Sequence, residues 1–246
     1  MNIFRADLHI HSCLSPCGSL DSSPANIVQA AIERGLDIIA IADHNSLLHC
    51  KITSEIAKKN GLHLIYGTEV NTSEEVHALA LFGDETSADE FQKFLESNLT
   101  KIENDPVLFG DQPVLDIDEN IIDMYPWLLI SALQTDIYET MEKVHSLDGL
   151  FIPAHVDKKT NSIYSQLGIF PPDMNCDAVE IFFPEKKEET YKQMFIPESM
   201  PFVVNSDAHY IEDIGKKHCN MYMERRNWEE IKMAIRCENN RKVFWK

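Results

Sequence analysis

Histidine and carboxylate residues that can bind metal ions recur along the 246-residue chain, and most of them follow short apolar segments. Asp7-Leu8-His9-Ile10-His11 places two imidazoles two residues apart, and alternate residues of a strand point to the same side. Asp207 and His209 have the same spacing near the C-terminus. Between these motifs lie four further candidates, His44, Glu69, His77 and His155. Imidazole and carboxylate groups bind zinc, manganese and iron, and a carboxylate can bridge two ions, so the set predicts a metal centre.

Several of these residues have plainer explanations when taken alone. An isolated histidine such as His77 or His155 is more often a hydrogen-bonded core residue than a ligand. Asp43 and His44 end an apolar segment, where an unpaired polar pair would be costly, so both need partners. We expect His44 to be a ligand that Asp43 orients, although a helix-capping turn at Asn45 would also explain these polar residues. Because six separate positions carry such residues, the metal centre is the favoured interpretation.

The apolar pattern predicts the elements that position the candidate ligands. Strands are predicted at residues 3–10, 36–42, 62–70, 77–82, 150–154, 178–183 and 202–205. Helices are predicted at residues 24–34, 46–60, 88–103, 118–123, 135–146 and 227–237. A barrel gathers the C-terminal ends of its strands on one face, whereas a doubly wound sheet would spread them along an edge, so we predict an α/β barrel. We expect one domain over residues 1–246, with a helical insertion or cap at about 83–150.

The composition is acidic, with 22 Lys and Arg residues against 40 Asp and Glu residues and a formal charge of −18. No basic run offsets this charge, which disfavours duplex nucleic acid as a partner. A small anionic substrate is compatible with the charge because bound divalent cations reverse the local sign. The six cysteines are dispersed without a CxxC motif, and we expect neither a signal peptide nor a membrane-spanning segment. We therefore expect reduced thiols in a cytoplasmic protein, and the oligomeric state stays open.

Five motifs in series resemble those of the PHP (polymerase and histidinol phosphatase) superfamily. They are Asp7-Leu8-His9-Ile10-His11-Ser12, Ile41-Ala42-Asp43-His44-Asn45, Gly67-Thr68-Glu69, Pro153-Ala154-His155 and Ser206-Asp207-Ala208-His209. The resemblance implies a distorted seven-stranded β/α (TIM-like) barrel and a phosphoesterase with two or three divalent metal ions. It also implies that one ion takes His9, His11, Glu69 and Asp207, that a second shares Glu69 and adds His77 and His155, and that a third takes His44 and His209.

The loop after His11 departs from the family pattern. The third ion would take one more ligand from this loop, where many relatives carry Asp-Gly or a histidine, but this chain has Cys17-Gly18. Cys17 is either a thiolate ligand, which would favour zinc or iron over manganese, or a thiol without a metal beside a weak third site. Asp21 is a more distant substitute.

The resemblance implies hydrolysis of a phosphate ester by a metal-activated hydroxide. We expect the substrate to be a small phosphorylated metabolite or nucleotide, because the chain is acidic and the predicted insertion would cover the site. His209 or His44 is a candidate for protonating the leaving group. Lys158 and Lys159, which follow the motif of His155, are candidates for contacts with a substrate phosphate.

Three other functions stay open. A nuclease acting on DNA or RNA ends would use the same chemistry on a polymeric substrate. A non-catalytic PHP module would keep the fold without the reaction. An amidohydrolase would also begin with His-x-His, but no lysine follows a strand in mid-chain where such enzymes usually carry a carboxylated lysine. The remaining histidines, His49, His63, His145 and His218, are expected to be structural or surface residues.

Overall fold

The computed structural model describes residues 1–246. The strands are β1 (Asn2–Ile10), β2 (Ile38–Ile41), β3 (His63–Asn71), β4 (His77–Phe82), β5 (Pro113–Leu115), β6 (Ile121–Met124), β7 (Leu150–Pro153), β8 (Val179–Glu180), β9 (Phe202–Val203), β10 (Cys219–Met223) and β11 (Lys242–Phe244). The helices are α1 (Pro24–Glu33), α2 (Cys50–Lys59), α3 (Glu85–Asn98), α4 (Pro106–Phe109), α5 (Ile137–Ser146), α6 (Ile163–Leu167), α7 (Lys187–Met194) and α8 (Trp228–Ile235). None of these helices has the length and apolar character needed to cross a membrane.

Seven strands form one curled sheet in the order β11-β10-β1-β2-β3-β4-β7. The strands β1, β2 and β3 are parallel, whereas β4 runs antiparallel to both β3 and β7. The separate parallel pair β8–β9 connects the two sides of this sheet. Beyond β7, the Val156 N–H donates to the Glu180 carbonyl (2.9 Å), and at the end of β1 the His11 N–H donates to the Ala208 carbonyl (2.9 Å). The strands thereby enclose a common interior, which confirms the predicted distorted barrel.

Buried apolar residues pack on both sides of the curled sheet. An inner cluster is built from alternate residues of the strands, among them Ala6, Leu8, Ile38, Ala40 and Ala42. An outer cluster joins the opposite strand faces, including Ile39 and Ile41, to the helices. Both faces of β2 are therefore buried, which explains why the sequence of this parallel strand is a continuous apolar run.

Antiparallel pairing explains how His77, the first residue of β4, reaches the face where the parallel strands end. His77 pairs with Asn71, the last residue of β3. The two strands run in opposite directions, so the start of β4 lies beside the end of β3. Gly67 allows β3 to approach β2 closely just before Glu69, because a Cβ atom there would lie 2.7 Å from the Ile41 carbonyl oxygen.

The segment between β4 and β7 contains α3, α4 and α5, together with the hairpin β5–β6. The predicted helix at residues 118–123 is wrong. The backbone N–H groups of Asp118 and Asn120 both donate to the Asp116 carboxylate at 2.9 Å, and the chain then continues into β6. The Asp116 side chain thus stabilises a turn, because it binds backbone N–H groups that would donate to backbone carbonyls in a helix.

Helix α2 begins at Cys50, four residues after its predicted start. The Ser46 N–H donates to Thr68 Oγ1 (3.0 Å), and the Leu47 N–H donates to Gln92 Oε1 (2.7 Å). These contacts with distant side chains satisfy the backbone groups without a helix, so tertiary structure overrides the local pattern.

Candidate metal centre

A bulge in β1 turns the histidines of the first motif into the barrel. The pairing with β2 advances by three residues on β1, from Asp7 to Ile10, while it advances by two on β2. Leu8 belongs to the inner cluster, whereas Ile10 belongs to the outer cluster. The strand alternation therefore changes side within the bulge, and His9 and His11 both point inward. Both side chains are fully buried, and their Nε2 atoms lie 3.2 Å apart.

The carboxylate of Glu69 lies at the centre of the histidine cluster. Its Oε1 atom is 2.9 Å from His155 Nε2 and 3.0 Å from His77 Nδ1. Its Oε2 atom is 3.1 Å from His44 Nδ1. The two histidines of β1 lie slightly farther away, with their Nε2 atoms 3.4 and 3.5 Å from the carboxylate. Glu69 is thus in reach of five imidazoles, and a carboxylate in this position can bridge two ions.

Asp207 approaches the same cluster from the segment after β9. Its Oδ1 atom lies 3.5 Å from the Nε2 atoms of both His9 and His11 and 3.6 Å from His209 Nδ1. Asp207 and His155 have left-handed backbone conformations, with φ of 53° and 31°. Such conformations are uncommon for residues other than glycine and occur preferentially at functional sites.

Cys17 lies beside the histidines of the predicted third site. The ligand atoms of His11, Cys17, His44 and His209 are all within 4.8 Å of one another. Although Cys17 is an exposed residue, desolvation of its thiol and the charge of Glu69 raise its pKa to about 12. A thiolate in this position would therefore require a bound cation. Asp21, the other candidate in this loop, is exposed and lies outside the cluster.

Three buried polar atoms at the cluster form no hydrogen bond, namely His44 Nδ1, His155 Nδ1 and Asp207 Oδ1. His44 Nδ1 lies 3.1 Å from Glu69 Oε2, but the angles are not those of a hydrogen bond. Buried polar atoms in proteins are nearly always paired, because an unpaired one loses its hydration without compensation. Imidazole nitrogens, carboxylate oxygens and one thiol are together the donor set that binds zinc, iron or manganese. The residues present therefore fit divalent metal ions.

Negative charge dominates the centre of the cluster. Burial alone would lower the pKa of His9, but the carboxylates of Glu180, Glu69 and Asp207 outweigh it and raise that pKa well above its ordinary value. Burial alone would raise the pKa of Glu69 and Asp207, but the surrounding histidines hold both pKa values below their ordinary range. The site thus favours a positive charge, which a proton or a metal ion can supply.

The pKa values of His44 and His209 are lowered, in contrast to that of His9. Burial lowers the pKa of His44 well below its ordinary value. Burial and the neighbouring His11 lower the pKa of His209 to about 4. Both imidazoles are therefore neutral at pH 7, and neutral imidazole is the form that binds metal ions.

The sequence profile of the PHP domain family matches residues 7–169. The chain belongs to the PHP domain family. A second profile, described as PHP-associated, matches residues 198–240, which include Asp207 and His209. The two matches together contain every candidate ligand, and the resemblance drawn from the motifs is confirmed.

Related proteins share parts of the chain or its fold. A 5'-3' exoribonuclease of Haemophilus influenzae is 32% identical over 111 residues, which are 44% of this chain and 39% of that protein. The lesion-specific endonuclease PfuEndoQ of Pyrococcus furiosus superposes with a TM-score of 0.74 at 21% identity, over 98% of this chain and 58% of that chain. A structure of Endonuclease Q in complex with a 27-mer duplex substrate, with an abasic lesion at the active site, gives a TM-score of 0.71 at 21% identity over the same shares.

At such low identity, the likeness to the two solved structures establishes a shared fold. The PHP chain described here spans less than half the length of the curated relatives it matches.

Glu180 of β8 forms hydrogen bonds with two histidines of the PHP site, His9 and His155. His9 Nδ1 lies 3.1 Å from both of its carboxylate oxygens, and the backbone N–H of His155 donates to Oε2 (2.8 Å). Asn205 Nδ2 donates to Oε1 (2.8 Å). Neither Glu180 nor Asn205 was predicted from the sequence. The available signal was a single acidic residue within the apolar run at 178–182, since a buried carboxylate needs partners.

Asp43 holds the loop that follows His11. Its carboxylate accepts hydrogen bonds from the Ser12 N–H (2.7 Å), the Ser12 hydroxyl (2.6 Å) and the Ser15 hydroxyl (2.7 Å). The Ser15 Oγ atom in turn lies 3.1 Å from His11 Nδ1. The carboxylate forms no hydrogen bond with His44, the ligand that it was expected to orient. Asp43 acts on the site through the serines of this loop.

His49 connects the same loop to the segment between β4 and β7. Its Nδ1 atom lies 2.7 Å from Ser12 Oγ, and its Nε2 atom accepts a hydrogen bond from the Leu115 N–H (3.0 Å). The side chain is fully buried, which agrees with the structural role expected from the sequence.

The site opens into a cavity of about 310 Å³, bordered by Cys17, His44, His77, His155 and Lys158. Ile130, from the segment between β4 and β7, also lines this cavity, so that segment borders the site. The Lys158 ammonium group forms an ion pair with Asp207, whereas Lys159 lines an adjoining cavity. Of the two predicted phosphate-binding lysines, the structure thus brings Lys158 to the ligand cluster and places Lys159 beside it.

Proposed function

We propose that this PHP domain is a metal-dependent phosphodiesterase whose substrate is a nucleic-acid strand. The observation that carries the proposal is the cluster of five imidazoles around Glu69, which opens into a cavity bordered by Lys158. With divalent metal ions bound, a site of this kind would hold an anionic phosphate through the metal and the lysine.

Relatives favour a polymeric substrate over the small metabolite expected from the sequence. One curated relative is named an exoribonuclease, and a protein of the same fold is named an endonuclease. The acidic composition was the reason to disfavour duplex nucleic acid. A PHP-fold protein in complex with a duplex substrate weakens that reason, so duplexes belong among the substrates to be tested.

Divalent metal ions at such a centre supply a hydroxide nucleophile at neutral pH and neutralise charge on the phosphate. We propose three sets of metal ligands. The first is His9, His11, Glu69 and Asp207, the second is Glu69, His77 and His155, and the third is His44, His209 and Cys17. Glu180 positions His9 by a hydrogen bond and is itself held by Asn205, and Asp43 holds the loop after His11.

Neutral His44 and His209 are better suited to bind metal than to donate a proton. We therefore propose both primarily as ligands. Lys158 is the one lysine or arginine that lines this cavity, and in our proposal it exchanges its contact with Asp207 for one with a non-bridging phosphate oxygen when substrate binds.

The test is a cleavage assay with the full chain, purified without chelator and reconstituted separately with zinc, manganese and iron. Single-stranded and duplex DNA and RNA of one sequence, labelled at the 5' or the 3' end, are compared with a panel of phosphorylated metabolites. The proposal predicts metal-dependent cleavage of at least one polynucleotide, abolished in Glu69→Gln, and the two labels distinguish cleavage at ends from internal cleavage. Hydrolysis confined to the metabolites would contradict it.

A further inference from the structure

A second cavity adjoins the metal centre and shares a wall with it. Lys158 and Thr160 line both cavities. The second one has a volume of about 520 Å³ and extends over the segment between β8 and α7, where it is bordered by Lys159, Phe183 and Lys186. Its size lies in the range of pockets that bind small organic ligands. None of these three residues is needed to hold metal.

Three lysines, Lys158, Lys159 and Lys186, border the second cavity, although the chain as a whole carries a formal charge of −18. Lys158 and Lys217 place their ammonium groups 4.3 and 3.2 Å from the centre of the Phe182 ring, and the Lys186 ammonium lies 5.6 Å from that of Phe183. Three lysines thus lie against one pair of aromatic rings, and Lys159 borders the same cavity.

The acidic groups in this region already have partners. Both Asp157 carboxylate oxygens accept backbone N–H groups, from Phe182 at 2.7 Å and from Phe183 at 2.6 Å. Glu189 accepts a hydrogen bond from Gln193 (2.9 Å). Lys158 is paired with Asp207, and the Lys217 ammonium group donates to the Phe182 carbonyl (2.6 Å). The ammonium groups of Lys159 and Lys186 form no hydrogen bond or ion pair, so these two groups are available to an anionic ligand.

Phe183 provides a flat apolar surface in the same cavity. Phe183 is 40% exposed, whereas two lysines cover the ring of the neighbouring Phe182. The two rings pack edge to face at 5.0 Å, and Asp157 fixes the backbone of both residues. An exposed, supported aromatic ring among lysines is the arrangement on which unpaired nucleobases stack while their phosphates contact ammonium groups.

We propose that the second cavity binds the nucleotides that flank the scissile phosphodiester. An unpaired base stacks on Phe183, and Lys159 and Lys186 contact the neighbouring phosphates, while Lys158 lies between this cavity and the metal centre. The inference rests on the proposed function and adds the site that distinguishes a strand from an isolated phosphate ester.

The experiment compares Phe183→Ala and Lys186→Glu with the unaltered full chain after reconstitution with manganese. Lys242→Glu is the matched control because Lys242 lies far from the site. It pairs with Tyr222, and Tyr222 pairs with Ile3 near the start of β1, whereas the candidate ligands follow the end of β1. One substrate is a fluorescent single-stranded oligonucleotide, as DNA and as RNA, and the other is bis(p-nitrophenyl) phosphate, which has no flanking nucleotides. Anisotropy of the oligonucleotide measures binding independently of cleavage.

The proposal predicts that the ratio of kcat/KM on the oligonucleotide to kcat/KM on the small diester falls about 5- to 100-fold in Phe183→Ala, as expected for one lost base stack. Lys186→Glu lowers oligonucleotide affinity and reduces its dependence on salt, whereas Lys242→Glu changes neither. Comparison of the DNA and RNA oligonucleotides identifies which nucleic acid the protein prefers.

Equal ratios and affinities in all three variants would overturn the inference, even if the enzyme cleaves both substrates. Binding that is lost in Phe183→Ala, in a protein that cleaves neither substrate, would support the second cavity while contradicting the proposed function. Failure of the unaltered protein to bind either oligonucleotide would overturn both.

Discussion

The His9 imidazole turns its Nδ1 atom toward Glu180, at 3.1 Å from both carboxylate oxygens, and its Nε2 atom toward Glu69 and Asp207. Glu180 therefore fixes the ring orientation from the side remote from the metal centre. A carboxylate on the second nitrogen of a ligating histidine also increases the basicity of the first.

Glu180→Gln is expected to weaken metal binding about 10- to 100-fold, because glutamine keeps the size of the side chain but removes its charge. The affinity is measured by competition with a coloured chelator. Glu188→Gln, on the exposed surface of α7, serves as the control and should bind metal like the unaltered protein. An unchanged affinity in Glu180→Gln would mean that Glu180 supports only the fold.

Much of the site could be predicted from the sequence because metal ligands on a barrel follow a local pattern. His9, His44, Glu69, His155 and Asp207 each lie at or near the end of an apolar run, and the fold brings those ends together. His77 was included among the candidate ligands without its topological reason, since the antiparallel direction of β4 is not encoded in the local sequence.

The remainder depends on contacts between distant parts of the chain. Glu180 meets His9 across 171 residues, and His49 meets Leu115 across 66 residues. The bulge that turns His9 inward depends on the pairing with β2, which the alternation of β1 alone does not reveal. The turn at Asp116 resulted from side-chain hydrogen bonds that compete with a helix, so the predicted helix at 118–123 was wrong.

Cys17 should decide which metal the third site prefers. If its thiolate is a ligand, Cys17→Ala loses up to one equivalent of metal, and Cys17→Asp shifts the preference from zinc toward manganese, because the carboxylate is the harder ligand. Both are measured by elemental analysis after dialysis against equimolar metals. Cys237→Ala is the matched control, as Cys237 is another exposed free thiol. Identical metal content and preference in all four proteins would show that Cys17 binds no metal.

His49→Ala is expected to lower the free energy of unfolding by about 1–3 kcal/mol, because it leaves buried polar groups of Ser12 and Leu115 without their partner. Urea denaturation followed by circular dichroism measures the change. His63→Ala is a suitable comparison, since the side chain of His63 forms no hydrogen bond and is only partly buried. Equal losses in the two variants would contradict a specific role for His49.

Asp177 should contribute stability that depends on pH. Burial would raise its pKa, but hydrogen bonds from His145, the Phe151 N–H and Arg236 outweigh burial and lower it below its ordinary value. A lowered pKa in the folded state stabilises the protein above the unfolded-state pKa of about 3.9, and this contribution is lost as the pH falls through the folded-state value.

Asp177→Asn is therefore expected to cost about 1.5–3 kcal/mol at pH 7, and the difference from the unaltered protein should shrink below about pH 4. Urea titrations between pH 3 and pH 7 measure both quantities. A difference that stays constant over this range would mean that the charge of Asp177 contributes nothing.

The claim that Glu69 joins two or more metal ions is tested most directly by elemental analysis of the unaltered protein beside Glu69→Gln, both purified without chelator and reconstituted. The proposed ligand assignment predicts at least two equivalents of divalent metal in the unaltered protein. Glu69→Gln should lose at least one equivalent and nearly all hydrolysis of bis(p-nitrophenyl) phosphate. Less than one equivalent in the unaltered protein, or the same metal content in both proteins, would contradict a bridged metal centre.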